Sequence, residues 1–308
     1  MILALAGGVG GARLARGLAA VLPPEKLNII VNVGDDFEHL GLLVCPDLDT
    51  VCYTLGGVNN EAQGWGLQGE SWAFMDALGK LGGETWFNLG DRDLATHITR
   101  KAMLGRESLS TITAFLAGKL GIAHKIAPMS DDPVRSIVDT DEGELAFQHY
   151  FVRRRAEPRF RSIRFEGVEQ ASPSPAFLAA LGDPSLEAII LCPSNPVLSI
   201  APILALPGIR ARLDARKVPI VAVSPFIGGH AIKGPAAKIM AEIGIATTPA
   251  GLASYYGGLL DGIVIDRADG DAQVPGTALH VTDTLMHDFD DQRRLAGETL
   301  DFARSLNR

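Results

Sequence analysis

The chain opens with MILALAGGVGGARLARG (residues 1–17), in which an apolar run leads directly into a glycine-rich turn. The run Ile2–Ala6 has the composition of a buried strand, and apolar side chains at Leu14, Leu18 and Val21 predict a helix behind the turn. Such a turn can approach an anion, because glycine tolerates positive φ and the first amides of a helix lack internal partners. The stretch therefore predicts a strand–helix unit of an α/β sheet with an anion site at Gly7, Gly8, Gly10 and Gly11.

Two common phosphate-binding motifs do not fit this turn. The dinucleotide fingerprint begun at Gly8 would need glycine at position 13, where Arg13 stands, and the Walker motif needs a lysine, the first of which is Lys26. A tight turn without a ligand is the alternative, since glycine-rich turns are common in α/β proteins.

Composition limits the class of protein. The chain has 308 residues and a net charge of −8, which disfavours a nucleic-acid partner. Cys45, Cys52 and Cys192 show no C-x-x-C spacing, so we expect reduced thiols and a cytoplasmic protein. The apolar start is too short for a signal peptide, and no apolar run reaches the roughly 18 residues of a membrane span. We therefore expect no membrane association.

Short apolar runs alternate with helical patterns, which predicts an α/β fold with a doubly wound, mostly parallel sheet. The predicted strands are Ile2–Ala6, Leu27–Val33, Trp86–Leu89, Ala188–Leu191, Ile220–Val223, Ile263–Ile265 and Leu279–Val281. The stretch Glu144–Glu166 alternates apolar and polar residues, as an antiparallel element would. We predict an α/β core over residues 1–109 and 181–308, with an inserted mixed α/β lobe at 110–180.

Unusual residues follow the carboxyl ends of the predicted strands. Besides the first glycine turn, the clusters are Gly34-Asp35-Asp36, Gly90-Asp91-Arg92-Asp93, Pro193-Ser194-Asn195-Pro196 and Ser224–Gly229. In an open parallel sheet those ends line one crevice, which is where ligands bind. We therefore expect the five loops to converge on one site.

Carboxylates dominate part of this predicted site. Asp35 and Asp36, together with Asp47 and Asp49 of the DLDT stretch, are hard oxygen ligands of the kind that suit Mg²⁺. The alternative for the first pair is a solvated turn. The alternative for the second pair is helix capping, and capping and ligation can coexist on different residues.

Arg92 stands at the start of a predicted helix, where a cation faces the positive end of the helix dipole. That placement is explained if the guanidinium meets an anion, such as the carboxylate of Asp49. An arginine that faces solvent is the alternative. His97, one turn further on, is interpreted as a structural histidine.

A second glycine turn, at Gly228 and Gly229, precedes Lys233 and a predicted helix. Backbone amides and an ammonium group would form a second anion cradle. Two cradles in one crevice indicate a diphosphate or a nucleotide. Ser194 and Asn195 either read a base or ribose or form only a rigid turn.

Taken together, these motifs resemble one family. AGGVGGARLARGL, NVGDD, CPDLDTVCYTLGG, GDRDLATH, SDDPVR, PSNPVLSI and SPFIGGHAIKGPA occur in this order over nearly the whole chain. They resemble the CofD-like 2-phospho-L-lactate transferases of deazaflavin coenzyme F-420 biosynthesis. The resemblance implies a modified Rossmann-like, nucleotide-binding core, a homodimer and a requirement for Mg²⁺.

The resemblance also implies a reaction. A GMP-activated diphosphate donor passes a phospho-acid group to the ribityl hydroxyl of 7,8-didemethyl-8-hydroxy-5-deazariboflavin, and GMP leaves. The group is phospholactyl, phosphoenolpyruvyl or phosphoglyceryl, and the sequence leaves the three open. The chain itself predicts neither the donor nor the acceptor without the resemblance.

The resemblance assigns roles to particular residues. Asp49 and Arg92 match residues that contact the deazaflavin, and Asp49 is also implied as metal ligand or base. Some relatives carry a second acid near the Gly-Trp-Gly that stands here at 64–66, where this chain offers Asn60 and Glu61. We therefore predict Asp49 and Asn60 as metal ligands, and Asp49 and Arg92 as catalytic residues. The predicted substrate-binding residues are Asp35, Asp36, Asp49, Arg92, Thr96, Gly7, Gly8, Gly10, Gly11, Ser194, Asn195, Gly228, Gly229 and Lys233, the first glycine turn taking the diphosphate and the second the guanylyl group.

Two other functions are weighed. A related family with a similar glycine-rich start binds nucleotide sugars without catalysis and regulates cell-wall metabolism, but it lacks the pairing of DLDT with GDRDLATH. A Rossmann-type oxidoreductase is disfavoured by Arg13 in the fingerprint.

Overall fold

The computed structural model describes residues 1–232 and 234–306, so Lys233, predicted to bind substrate, lies outside the described residues. The strands are β1 (Ile2–Ala6), β2 (Leu27–Val31), β3 (Phe37–His39), β4 (Leu42–Val44), β5 (Lys125–Pro128), β6 (Arg135–Thr140), β7 (Gly143–Ala146), β8 (Phe160–Glu166), β9 (Ala188–Leu191), β10 (Ile220–Val223), β11 (Phe226–Ile227), β12 (His230–Ala231), β13 (Gly262–Asp266) and β14 (Ala278–Thr282). The helices are α1 (Gly8–Val21), α2 (Pro46–Leu55), α3 (Ala73–Lys80), α4 (Asp91–Met103), α5 (Leu109–Lys119), α6 (Pro175–Leu181), α7 (Ala201–Ala205), α8 (Ile209–Asp214), α9 (Ala236–Glu242), α10 (Pro249–Tyr255) and α11 (Phe289–Ser305).

A seven-stranded parallel sheet forms the centre of the protein, in the order β14-β13-β10-β9-β1-β2-β5. Strands β1, β9 and β10 are buried along their whole length, because helices cover both faces of such a sheet. The chain proceeds from β1 to β2 on one side and returns to β9 on the other. The strand order therefore reverses between β1 and β9, and ligands of open α/β sheets bind at such a switch point. The predicted fold class is confirmed.

Six of the seven predicted strands lie in this sheet, and the seventh, Trp86–Leu89, is wrong. That run contains no strand; Trp86 and Phe87 instead pack with Phe37 and His39, with ring centroids 4.7 Å apart for the two phenylalanines. A short run with three apolar residues, two of them aromatic, is equally suited to a strand or to a small aromatic cluster. The seventh strand is β5, an edge strand whose Lys125 and Pro128 hid it in the sequence.

The predicted antiparallel element is confirmed in part, as a three-stranded sheet in the order β7-β6-β8. Its central strand β6 precedes the predicted stretch, and His149–Arg153 within that stretch forms a π-helix, so the alternation there was not that of a strand. Strand β6 begins beside the loop after β2, where Ser136 N donates to Gly34 O at 2.7 Å. Strand β5 lies within residues 110–180 but pairs with the central sheet. The division into a core and a lobe at 110–180 stays a prediction.

Within the two described ranges, no helix combines the length and the apolar character that crossing a bilayer requires. All three cysteines are buried free thiols.

Candidate active site

The first glycine turn is a junction of three elements. Gly7 N donates to Ser194 Oγ at 3.0 Å, and Gly8 N donates to Asp47 Oδ1 at 2.8 Å. Ser194 belongs to the loop after β9 and Asp47 to the first turn of α2. The loops after β1 and β9 therefore meet α2 at the switch point of the sheet.

Close packing explains three of the four glycines. A Cβ at Gly7 would come within 3.0 Å of Asp47 and Ser199, and one at Gly10 or Gly11 would overlap the Pro193–Ser194 loop. Gly8 differs, because it has φ +63° and open space where a Cβ would be. Of the four, Gly8 alone leaves room for a ligand.

Asp47 binds its neighbours and not its own helix. Besides accepting from Gly8 N, its carboxylate accepts from Asn32 Nδ2 at 3.0 Å. Burial raises the pKa of Asp47, while the bonds from Asn32 and Gly8 oppose the rise. Asp47 therefore caps a helix, as expected, but the helix is α1. Its own helix, α2, has Cys45 as its N-cap residue.

Asp35 and Asp36 follow β2 and are both buried, so the solvated-turn alternative is wrong. Burial, together with the charge of Asp47, raises the pKa of Asp35 well above its ordinary value. Burial raises the pKa of Asp36 to about 7. The Oδ1 atom of Asp36 is buried and has no hydrogen-bond partner. Both carboxyl groups thus sit where a negative charge is poorly solvated.

Asp49 faces helix α4 from the first turn of α2. Its Oδ1 is in contact with the guanidinium of Arg100, which is only 2% exposed. Arg100 also donates to Leu43 O at 3.1 Å and lies 3.1 Å from His97 Nδ1. The other oxygen of Asp49, Oδ2, is buried without a hydrogen-bond partner. His97 Nδ1 lies 3.8 Å from this oxygen, so the carboxylate is held by Arg100 on one side and faces an imidazole on the other.

Three residues of α4 build the facing wall. Asp93, His97 and Arg100 are spaced by four and three positions, which places them on one helix face. His97 Nε2 lies 3.4 Å from Asp93 Oδ2, and Tyr53 donates its hydroxyl to Asp93 Oδ1 at 2.6 Å. Burial would raise the pKa of Asp93, but His97 and Tyr53 outweigh it, and the pKa lies below its ordinary value. Asp93 is thus held in its charged form.

These side chains form a candidate metal centre. Asp49, Asp93 and His97 each offer a ligand atom, and these atoms lie within 4.8 Å of one another. Asp49 Oδ2 and His97 Nε2 are both buried without a hydrogen-bond partner, as expected for atoms that await a ligand. Two carboxylates and an imidazole suit a divalent cation, and the imidazole also suits ions softer than Mg²⁺. The residues present therefore fit a metal ion, whose identity the geometry leaves open.

Two predicted residues lie away from this cluster. Arg92 is exposed and donates from Nη1 to Gln68 O at 2.8 Å. The expectation that its guanidinium holds Asp49 is wrong, because Arg100 occupies that place. Asn60 exchanges hydrogen bonds with Gln63 within its own turn, at 3.0 and 3.1 Å. The roles of Arg92 as a substrate contact and of Asn60 as a metal ligand stay predictions.

A cavity of about 350 Å³ opens beside Asp49, between helices α2, α4 and α5. Thr96, another predicted binding residue, lines it and hydrogen-bonds with the Tyr53 hydroxyl. Apolar side chains make up much of the wall, with Thr99, Thr113 and Lys119 adding polar groups. The cavity can hold a largely apolar ligand with polar edges.

The remaining predicted contacts have structural partners. Ser194 accepts from Gly7 N, and Asn195 Oδ1 accepts from Val197 N and Leu198 N, so that Asn195 caps the short π-helix Pro196–Ile200. Gly228 and Gly229 form the tip of the β11–β12 hairpin and not a direct strand-to-helix turn. Gly228 N already donates to Asp269 at 2.9 Å. Their roles in substrate binding stay predictions.

Sequence reasoning missed Asp93 and Arg100 and took His97 as structural. The signal was present in their spacing, because three polar residues on one face of a helix point to a buried polar cluster. The cluster Gly90-Asp91-Arg92-Asp93 follows no strand. Four of the five predicted loops therefore extend from the carboxyl ends of strands in the sheet.

Comparisons with known proteins identify the family. A family model described as 2-phospho-L-lactate transferase CofD matches residues 2–300. A protein of Streptomyces griseus subsp. griseus named phosphoenolpyruvate transferase is 42% identical over 99% of this chain and 99% of its own. A 2-phospho-L-lactate transferase of Methanosarcina mazei is 38% identical over 96% of this chain and 98% of its own.

The fold recurs in a solved structure with little sequence identity. A member of the UPF0052 family from Bacillus halodurans superposes with a TM-score of 0.62 at 14% identity, over 97% of this chain and 99% of its own. That likeness extends to the fold alone. The family match and the curated relatives go further: the chain belongs to the CofD family of 2-phospho-L-lactate transferases and is an enzyme of that family.

Proposed function

We propose that this enzyme transfers a phospho-acid group from a GMP-activated diphosphate to the ribityl hydroxyl of 7,8-didemethyl-8-hydroxy-5-deazariboflavin, with release of GMP. Membership in a transferase family overturns the alternative of a non-enzymatic regulatory protein. The observation that carries the finer proposal is the position of Asp49, which belongs to a metal-competent cluster and lines an open cavity, and whose Oδ2 has no hydrogen-bond partner.

The cavity beside Asp49 supports the choice of acceptor. Its volume of about 350 Å³ and its largely apolar wall suit a flat aromatic ring system. The hydroxyl groups of Thr96 and Thr99 line it and can meet the polar edges of such a ring. A ring bound there would bring its ribityl chain towards the first turn of α2.

Asp49 suits the role of proton acceptor in this reaction. The ribityl oxygen attacks the phosphorus that carries the acid, and the bond between this phosphorus and the oxygen that bridges to GMP breaks. The hydroxyl proton passes to Oδ2 of Asp49. Arg100 holds the other oxygen and so fixes the direction in which Oδ2 points. Positioning of this kind is a large part of phosphoryl-transfer catalysis.

Asp93 and His97 would hold the divalent cation beside Asp49, whose Oδ2 is assigned to the proton; we propose Mg²⁺ as the cation, with Mn²⁺ as the ion to compare. A cation bound there would neutralise charge on the phosphate oxygens. Gly7 N and Gly8 N already donate to Ser194 and Asp47, so the next amides in the first turn of α1 would offer the donor diphosphate its hydrogen bonds, on the open side of Gly8.

The test is to incubate the protein with the deazaflavin, Mg²⁺ or Mn²⁺, and each GMP-linked donor, with phospholactyl, phosphoenolpyruvyl and phosphoglyceryl groups in separate reactions. We expect one donor to give a deazaflavin phospho-acid product and an equal amount of GMP by mass spectrometry. The Asp49→Asn variant should lose at least about a hundredfold in kcat, because its amide cannot accept a proton. Asp76→Asn, an exposed change on α3, is the matched control. Absence of product with all three donors would refute the proposal.

We also propose a homodimer, as the resemblance implies. Sedimentation velocity at micromolar concentration should give a mass of twice 32.7 kDa. A monomer at that concentration would refute this part alone.

A further inference from the structure

The motif SDDPVR, at 130–135, has no role in the site so far. Its arginine, Arg135, is the first residue of β6 and is half-buried. The next residue fastens this strand to the acidic loop, since Ser136 N donates to Gly34 O at 2.7 Å and Ser136 Oγ donates to Asp35 Oδ1 at 3.4 Å. Arg135 therefore stands where the antiparallel sheet meets the loop after β2.

The guanidinium of Arg135 is not neutralised by an ion pair within the described residues. Its hydrogen bond runs from Nη1 to Val134 O, the carbonyl of its own neighbour, at 2.8 Å. Glu166 lies opposite it in the strand register, but that carboxylate pairs with Arg164 at 3.1 Å. Most of the donor groups of Arg135 thus remain available for a ligand.

Several acidic side chains lie in the loops near Arg135, so a positive charge is needed to offset their repulsion of an anionic donor. Asp35, Asp36, Asp47 and Asp49 are all buried in the loops after β2 and at the start of α2. Arg100 is committed to Asp49. Burial raises the pKa of Asp36, and the charge of Arg135 opposes that rise.

We propose that Arg135 binds the carboxylate of the phospho-acid group that the enzyme transfers. The three candidate groups differ in their carbon skeleton and share this carboxylate. A guanidinium matches a carboxylate with two parallel hydrogen bonds, whereas the amides of the glycine turn suit the phosphates. The inference rests on the proposed function and assigns one contact within it.

This assignment can be tested because the carboxylate and the guanylyl group lie on different halves of the donor. The carboxylate stays on the product, and GMP leaves without it. A residue that binds the carboxylate therefore contributes to binding of donor and product and contributes nothing to binding of GMP. A residue that binds the guanylyl phosphate or supports the fold would affect GMP as well.

The experiment compares wild type with Arg135→Gln, Arg135→Lys and a control, Arg161→Ala, an exposed change on β8 of the same sheet. We measure the KM of donor and acceptor, and the inhibition constants of GMP and of the deazaflavin phospho-acid product. For Arg135→Gln we expect the donor KM and the product constant to rise about 10- to 100-fold, the range for loss of a charge-assisted pair. The GMP constant and the acceptor KM should stay within about twofold, and Arg135→Lys should lie between.

Two results would overturn the assignment. One is a rise in the GMP constant equal to that of the donor, which would indicate a contact with the guanylyl phosphate or a damaged site. The other is a donor KM that changes less than about threefold. Failure of the proposed function is seen separately, because wild type itself would then give no product with any donor.

Discussion

The guanidinium of Arg100 contacts Oδ1 of Asp49, and both side chains are buried between α2 and α4. The two residues lie 51 positions apart in the sequence, so no single motif contains both of them. The contact joins the helix that carries the predicted proton acceptor to the helix that carries Asp93 and His97. It therefore orients Asp49 and at the same time links two walls of the site.

Replacement of Arg100 by methionine should lower the free energy of unfolding by about 3–5 kcal/mol, because it leaves the carboxylate of Asp49 buried without its partner. The double variant Arg100→Met/Asp49→Leu should recover much of this loss, since apolar groups of similar size replace a buried ion pair at little cost. Urea denaturation of the single and double variants measures both values. A double variant as unstable as the sum of its two single changes would contradict the expected coupling.

Removal of the His97 imidazole should change the activation of the enzyme by Mn²⁺ more than its activation by Mg²⁺. Mn²⁺ accepts an imidazole ligand more readily than Mg²⁺ does, so His97→Ala should raise the Mn²⁺ concentration for half-maximal activity about tenfold, and that of Mg²⁺ less. Metal titrations of activity, and of Mn²⁺ binding by electron paramagnetic resonance, test this directly. The control is His287→Ala, an exposed histidine before α11. Equal changes for both metals, or for both variants, would remove His97 from the ligand set.

Much of the fold could be predicted because parallel strands have a strong signal. The strands β1, β9 and β10 are buried on both faces, so their sequences are short apolar runs bounded by polar loops. Strand β5 lacks that signal, because an edge strand is partly open and tolerates lysine and proline. Trp86–Leu89 has the signal without the strand, because aromatic packing requires the same residue types.

The site could be predicted only as far as single loops reveal it. The aspartates of DLDT stood out because several carboxylates in a short stretch are unusual. Which arginine meets Asp49 depends on the rotation of α4 about its axis, and the residue at the helix start, Arg92, was the wrong choice. The sequence predicted a ligand site at all four glycines of the first turn. Contacts with Asp47, Pro193 and Ser194 from distant loops explain why three of them are glycine.

The glycines of the first turn should separate into two classes. Gly10→Ala places a methyl group against the carbonyl of Pro193 and should cost about 1–3 kcal/mol of stability, as overpacking does. Gly8→Ala meets no atom within 4 Å and should cost only about 1–2 kcal/mol from its positive φ. Since Gly8 faces open space, its variant should instead raise the donor KM. Thermal unfolding and steady-state kinetics measure the two effects, and a Gly8 variant with an unchanged donor KM would show that the diphosphate does not bind there.

The carboxyl of Asp36 should make stability depend on pH. Burial raises its pKa from 3.8 in the unfolded chain to about 7 in the folded protein, so the folded protein binds more protons between these values. Stability contributed by the neutral carboxyl is fully present below pH 4 and is lost as the pH rises towards 7, after which the charged group stays buried at a constant cost.

The Asp36→Asn variant keeps a neutral side chain at every pH and should remove this part of the dependence. We expect it to match wild type near pH 4 and to exceed it at pH 8 by about 2–4 kcal/mol, from a pKa difference of about three units. Urea denaturation between pH 4 and 8, with a chelator present so that no cation shifts the titration, provides the measurement. Asp76→Asn controls for the change in net charge, and an Asp36 variant that follows the wild-type curve throughout would mean that the carboxyl is ionised and well solvated in the folded protein.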